Sequence, residues 1–174
     1  MTDTQREQKQ NHPYKAFFYP MRLALLSVGE NFMPLAWWTP VSKNPFRFLL
    51  AMDRENHTLG LLRTLGEAAL SFLPWEEREW VVRAGYLSGR RVDKGKRLGV
   101  ALQPARRLAH TWVPEKALAV YELKVTEWPT DGDHALFLGD VVHVEGSREA
   151  KERPILFLGF RDFATLGERW RFRP

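Results

Sequence analysis

Asn56, His57 and Thr58 fall where a set of leucines at three-residue spacing (Leu59, Leu62, Leu65) begins, in the stretch "DRENHTLGLL". A helix starting there leaves its first backbone N–H groups free and the positive end of its dipole exposed, which is what a phosphate needs. Hydroxyl and imidazole side chains add donors, and Arg54 adds charge. The same residues also fit ordinary capping by Asn56 or Thr58, with no ligand at all. A second candidate is "SGRRVDKGKR", where Gly89 and Gly95 bracket Arg90, Arg91 and Lys94, with Lys96 and Arg97 following. Glycine lets the backbone approach a ligand closely, and the cations could clamp a phosphate or a flat anionic ring. The alternative is a solvated basic loop in which one lysine is interchangeable with the next. The third candidate is "NFMPLAWWTP" (31–40). Successive side chains of a strand point to opposite faces. If this run is a strand, one of Trp37 and Trp38 turns inward and a partner subunit or flat aromatic ligand must cover the other.

Other chemistries fit poorly. The chain has no cysteine, which removes thiolate metal sites, disulfides and thiol nucleophiles. His12, His57, His110, His134 and His143 do not pair at helical metal-ligand spacing, so no metal site is expected. There is no G-x-S-x-G, no P-loop and no glycine-rich Rossmann segment.

The elements that must position these residues are mostly strands. Residues 16–28 read as a bent or edge strand because Pro20 interrupts them. Residues 31–42 and 46–53 read as two more strands. The spacing predicts a short helix over 56–66, ended by Gly66. Residues 67–74 read as a strand, 75–89 as a second helix after Pro74 with Gly89 as its stop, and 90–99 as a basic loop. Alternation over 117–129 and 134–146, joined by "TDGD", predicts a hairpin. Residues 154–167 give a last strand and turn. Antiparallel β with two helices suggests a barrel or sandwich.

With 174 residues, 44% of them hydrophobic and 13% aromatic, the chain can bury one full core. Residues 1–15 read as a polar leader and 16–174 as a single domain. No apolar run reaches the length of a membrane span, and a cytoplasmic location is expected. The net charge of +5 suits an anionic partner. A Trp-rich nucleic-acid binder is one alternative, but Glu76, Glu77 and Glu79 interrupt the positive field.

Taken in order, "NFMPLAWWTPVSKNP", "MDRENHTLGLLRTLGEAALSFLP", "YLSGRRVDKGKRLG", "DGDHALFLGDVVHVEG" and "RPILFLGFRDF" resemble the flavin reductase-like family of FMN-binding split-barrel proteins, in its flavoredoxin-type branch. The resemblance covers roughly residues 16–163. It implies a mainly β fold, a split antiparallel six-stranded Greek-key barrel with a few short helices. It also implies a homodimer with FMN near the subunit interface, and an NAD(P)H-dependent flavin reductase or flavoredoxin-like oxidoreductase. A non-enzymatic FMN electron-transfer protein on the same fold is the alternative. A redox partner or companion monooxygenase would accept the electrons. The residues implied for the cofactor are Asn31, Trp37, Asn56, His57, Thr58, Lys94, His134 and Phe163. Thr58 would hold the phosphate. Lys94 would meet either the phosphate or N1 and O2 of the ring, the ring being preferred because the helix start already offers a phosphate site. His134 is the one candidate for a catalytic role. Trp37 would face the flavin and Trp38 the core or the partner. Pro34 and Ala36 stand where the family often has hydroxyl residues, and Phe163 where it usually has tyrosine.

Overall fold

The alternating stretches at 119–128 and 134–146 form the longest antiparallel pair of the fold, β9 (Ala119–Trp128) against β10 (His134–Gly146). The computed structural model describes residues 18–146, 153–159 and 161–167. The expected leader over 1–15 lies outside the described residues. Around the hairpin, seven strands pair in the order β3 (Asn31–Leu35), β2 (Ala24–Val28), β6 (Glu67–Phe72), β9, β10, β5 (Phe46–Asp53), β4 (Trp38–Lys43). Every neighbouring pair is antiparallel.

β3 and β4 stand at the two ends of that order, yet they are consecutive in the chain. Residues 36–37 bend the strand between them, and Trp37 O is held by Ala51 N at 2.9 Å. Counted as one bent strand, 31–43 closes the order into a six-stranded barrel split at the bend. Pro34 sits in β3, at an end of the hydrogen-bonded order, where its missing N–H costs no ladder bond.

The barrel interior is filled by Leu26, Leu50, Leu62, Leu70, Leu123 and Phe137, all essentially inaccessible. A second core lies outside the sheet, where Leu25, Phe32 and Ile155 meet Val81 and Ala84 of a short helix. β2 is therefore buried on both faces, which is why "ALLSV" shows no alternation. Trp38 packs on the barrel core against Phe48 and Phe72, with its Nε1 donating to Arg22 O at 2.9 Å.

Helix α1 (His57–Leu65) matches the expected 56–66 segment, with Asn56 as its N-cap and Gly66 at φ 62° as its C-cap. Three expectations need correction. The helix expected over 75–89 is a 3₁₀ turn (Trp75–Glu77) followed by α2 (Arg78–Ala84), which stops at Gly85 and not at Gly89. The strand expected over 67–74 ends at Phe72. The expected basic loop contains a helical turn, α3 (Lys94–Leu98), because Asp93 accepts from Lys96 N and caps it. After the paired strands β7 (Leu102–Pro104) and β8 (Trp112–Pro114), the C-terminal part adds β11 (Leu156–Gly159) and β12 (Asp162–Ala164), which join β1 (Met21–Arg22) in a small sheet. No helix of the described residues is long and apolar enough to cross a membrane.

Candidate functional site

The start of β3, the start of α1 and the chain from Ala84 to Lys94 enclose a cavity of about 480 Å³. Asn56 is extended, and its Oδ1 accepts from Thr58 N at 2.9 Å, so capping accounts for this side chain. Thr58 is buried behind it. Its hydroxyl accepts from Asn31 Nδ2 at 2.9 Å. That bond leaves Asn31 Oδ1 buried with no hydrogen-bond partner among the described residues. Gly89 lies flush against this oxygen, and a Cβ on Gly89 would overlap it. The glycine read as a helix stop thus permits a close approach in the wall of the cavity.

Lys94 is 5% exposed. The helical turn α3 directs Lys94 and Gly95 inward and Lys96 and Arg97 outward. The solvated-loop alternative therefore describes Lys96, whose side chain is 89% exposed, and does not describe Lys94. Lys94 Nζ donates to Phe32 O at 2.6 Å and Ala84 O at 3.0 Å, and it makes no ion pair among the described residues. An ammonium has three protons, so one donor remains. Burial alone lowers its pKa to about 8.

His57, the first residue of α1, accepts at Nδ1 from Arg90 Nε at 3.2 Å. Burial, then the charges of Arg90 and Lys94, lower its pKa below the usual histidine value. It is thus neutral near pH 7, and the Arg90 bond assigns its proton to Nε2. A second cavity of about 470 Å³ shares Asn31, His57, Gly89 and Lys94 with the first and adds Arg90 and Arg91.

Phe163 lies beside the first cavity. With Phe157 it lines an apolar recess of about 220 Å³ that shares Pro34, Gly85 and Tyr86 with it. Trp37 and His134 are elsewhere. Their rings stack at 4.4 Å and 27°, and Trp37 lines an apolar groove with Phe18, Met21, Trp38 and Leu49. His134 Nδ1 lies 2.7 Å from Asp133 Oδ1. Trp37 lies in the strand bend next to Trp38, and His134 opens β10 opposite Asp53. A single chain thus gathers Asn31, Asn56, His57, Thr58 and Lys94, places Phe163 next to them, and separates Trp37 and His134.

The family model described as "Flavin reductase like domain" matches residues 18–167. The chain belongs to the flavin reductase-like family. An FMN-binding protein from Thermus thermophilus, solved with p-hydroxybenzaldehyde bound, is 30% identical, with a TM-score of 0.82 over 94% of this chain and 97% of its own. An uncharacterized protein from Pyrococcus abyssi is 33% identical over 86% of this chain and 89% of its own length. Flavoredoxin from Desulfovibrio vulgaris, at 19% identity, shares the fold, with a TM-score of 0.78 over 88% and 91% of the two chains.

The split barrel of this flavin reductase-like chain also uses residues that sequence reasoning passed over. Ser88 and Tyr86 line the cavity. The Ser-Gly pair and the Asp-x-x-Lys start of α3 were readable signals. Nothing in the sequence marked the Asn31–Thr58 bond, which joins residues 27 positions apart.

Proposed function

We propose that the chain binds FMN in the cavity of Asn31, Thr58 and Lys94 and works as an NAD(P)H-dependent oxidoreductase of the flavin reductase type. The observation that carries this reading is Lys94: a buried cation in a cavity wall, with two carbonyls and no carboxylate, lacks a counter-anion. The cavity fits the cofactor in two further respects. Asn31 is fixed in the cavity wall by its bond to Thr58, and Gly89, having no side chain, packs flush against Asn31 Oδ1 where a Cβ would not fit. Support also comes from the Thermus relative, described as FMN-binding at 30% identity.

Bound FMN supplies the hydride and electron chemistry that no side chain here provides. The start of α1, His57 Nε2–H and the free N–H of Lys94 hold the phosphate. This assigns Lys94 to the phosphate in place of the ring, because it shares both cavities with His57 and lowers that residue's pKa. Thr58 holds Asn31 in place, Asn56 caps the helix, and Phe163 with Tyr86 bounds the apolar side.

Trp37 and His134 meet the cofactor of a partner subunit in a homodimer. The apolar groove that Trp37 lines, with Phe18 52% exposed, supports this by needing cover. Light scattering should return twice 20.3 kDa; a mass of one chain contradicts the dimer. The electrons pass to a redox partner protein or a companion monooxygenase. The test is nicotinamide oxidation with FMN present. Turnover that requires FMN supports the reductase. FMN binding without NADH or NADPH oxidation leaves an electron carrier, and no FMN binding sinks both.

A further inference from the structure

The turn between β9 and β10 is exposed, yet several bonds hold it. Arg54 Nε donates to Gly132 O at 2.7 Å and Arg54 Nη2 to Thr130 O at 2.6 Å. The Arg54 backbone N donates to Asp133 O at 3.2 Å, and Gly132 N donates to the Thr130 hydroxyl at 3.3 Å. These bonds fix the backbone from which Asp133 and His134 project. His134 Nδ1 lies 2.7 Å from Asp133 Oδ1, and the ring of Trp37 backs the imidazole at 4.4 Å. Nε2, on the other side of the imidazole, makes no hydrogen bond among the described residues. Asp53, opposite His134 across the ladder, is turned to its own loop, where its Oδ1 accepts from Glu55 N at 2.8 Å.

An ionised carboxylate only accepts, so the proton of this pair sits on His134 Nδ1. In the neutral imidazole Nε2 then carries a lone pair. His57 is set the opposite way. Arg90 can only donate to its Nδ1, which puts the His57 proton on Nε2. One of these two imidazoles is thus a donor, which suits phosphate oxygens, and the other is an acceptor, which does not. The Asp133 side chain is 93% exposed, so the pair adds little to stability. What it sets is the place of a proton.

We infer that Asp133 is a positioning residue: it keeps the His134 proton on Nδ1 and presents Nε2 as an acceptor to an N–H or O–H of the ligand. The inference goes beyond the FMN reading and rests on it for the ligand alone. In the homodimer this pair meets the cofactor of a partner subunit, and a ring N–H or a ribityl hydroxyl is such a donor.

The test is a two-bond nitrogen–proton NMR correlation of the histidine rings in the flavin-free chain at about pH 8.5, where an ordinary imidazole is neutral, with FMN titration of the same proteins at neutral pH. The proteins are the parent, Asp133→Asn and Asp131→Asn, and His134→Gln identifies the ring signals. Asp131 is an exposed carboxylate of the same turn, so its amide removes the same charge and leaves the Asp133 bond in place. The parent should show His134 as Nδ1–H. Asp133→Asn offers Nδ1 an amide N–H and should move the His134 proton to Nε2. It should weaken FMN by roughly twofold to tenfold, the scale of one neutral hydrogen bond. Asp131→Asn should match the parent in both readouts. Nε2–H in the parent, or an unchanged tautomer in Asp133→Asn, overturns the inference. So does equal FMN affinity in the parent and Asp133→Asn, or an equal loss in Asp131→Asn, which would make the effect one of charge alone. If the parent binds no FMN, the cofactor reading falls, and the tautomer spectra still decide the role of Asp133.

Discussion

Glu67 and Lys94 are both buried charges, at two different places on the barrel, and they are satisfied in opposite ways. Glu67 opens β6 and is 1% exposed. Its carboxylate accepts from His110 N at 2.7 Å, Ala109 N at 3.2 Å, the Thr111 hydroxyl at 3.1 Å and Lys124 Nζ at 2.8 Å. Burial alone would raise its pKa, but these donors outweigh burial and bring it down to about 2. Glu122 of the adjoining strand β9, opposite Ala69, likewise accepts from Arg106 N and Arg107 N, both at 2.6 Å. The two glutamates pin the 105–111 segment, Glu67 with four donors and Glu122 with two. Lys94 has two carbonyls, no counter-charge and a pKa moved toward neutrality. A buried charge that is saturated holds the fold. One that is left short in a cavity wall is set up to receive a ligand.

The largest effect expected from breaking this contrast is on stability. Glu67→Gln places an amide N–H₂ among donors and uncouples Lys124, which should cost about 3 kcal/mol. That lowers the melting temperature by roughly 6–12 °C, while the folded protein keeps its FMN affinity. The parent has a folded-state pKa below the unfolded one for this group. The stability it contributes is present above pH 4.5 and is lost as the pH falls toward 2. Urea unfolding across that window should show the slope in the parent and a weaker one in the variant.

Lys94→Met should do the reverse. Losing a hydrogen bond to a charged phosphate costs about 1.5–3 kcal/mol of FMN affinity. Stability should hold or rise, because an ammonium no longer has to be buried. Phosphate contact affects oxidised and reduced cofactor alike, so the midpoint potential should stay in place. A drop of about 30 mV for each tenfold differential loss would return Lys94 to the ring.

The pH dependence sharpens the same contrast by a smaller amount. The bound anion prefers protonated Lys94, so FMN affinity should be flat below pH 8 and fall above it, by up to about tenfold per pH unit. The folded pKa of Lys94 is depressed, so the flavin-free chain should gain stability from pH 8 toward 10.5, where only the unfolded state still binds the proton. Both trends should vanish in Lys94→Met. The smallest effect is expected for Thr58→Val, which keeps the shape but removes the acceptor for Asn31. FMN affinity should fall by about 0.5–1.5 kcal/mol, read by flavin fluorescence titration.

The fold was legible because its signals are local. The alternation of 119–128 and 134–146, the cap and stop of α1 at Asn56 and Gly66, and the order of the family segments all survive in the structure. The site was legible in part. Lys94 stood out from Lys96 only by resemblance, while the physical reason is the cap at Asp93, whose helical turn sends one lysine inward and the next out. Glu67 and Glu122 were invisible because their partners lie 15 to 57 residues away. The second cavity arises from β3, α1 and the 89–94 stretch meeting in space, and no single segment carries its signature. Trp37 falls in the bend between β3 and β4, outside the strand alternation, and the ring stacked on it is His134, nearly a hundred positions away along the chain.

The most direct test of the account is FMN titration of the flavin-free chain at neutral pH, run on the parent, Lys94→Met and Lys96→Met together. The account predicts saturable binding by the parent, a loss of roughly tenfold or more in Lys94→Met, and parental affinity in Lys96→Met. Equal binding by all three, or no binding by the parent, would contradict it.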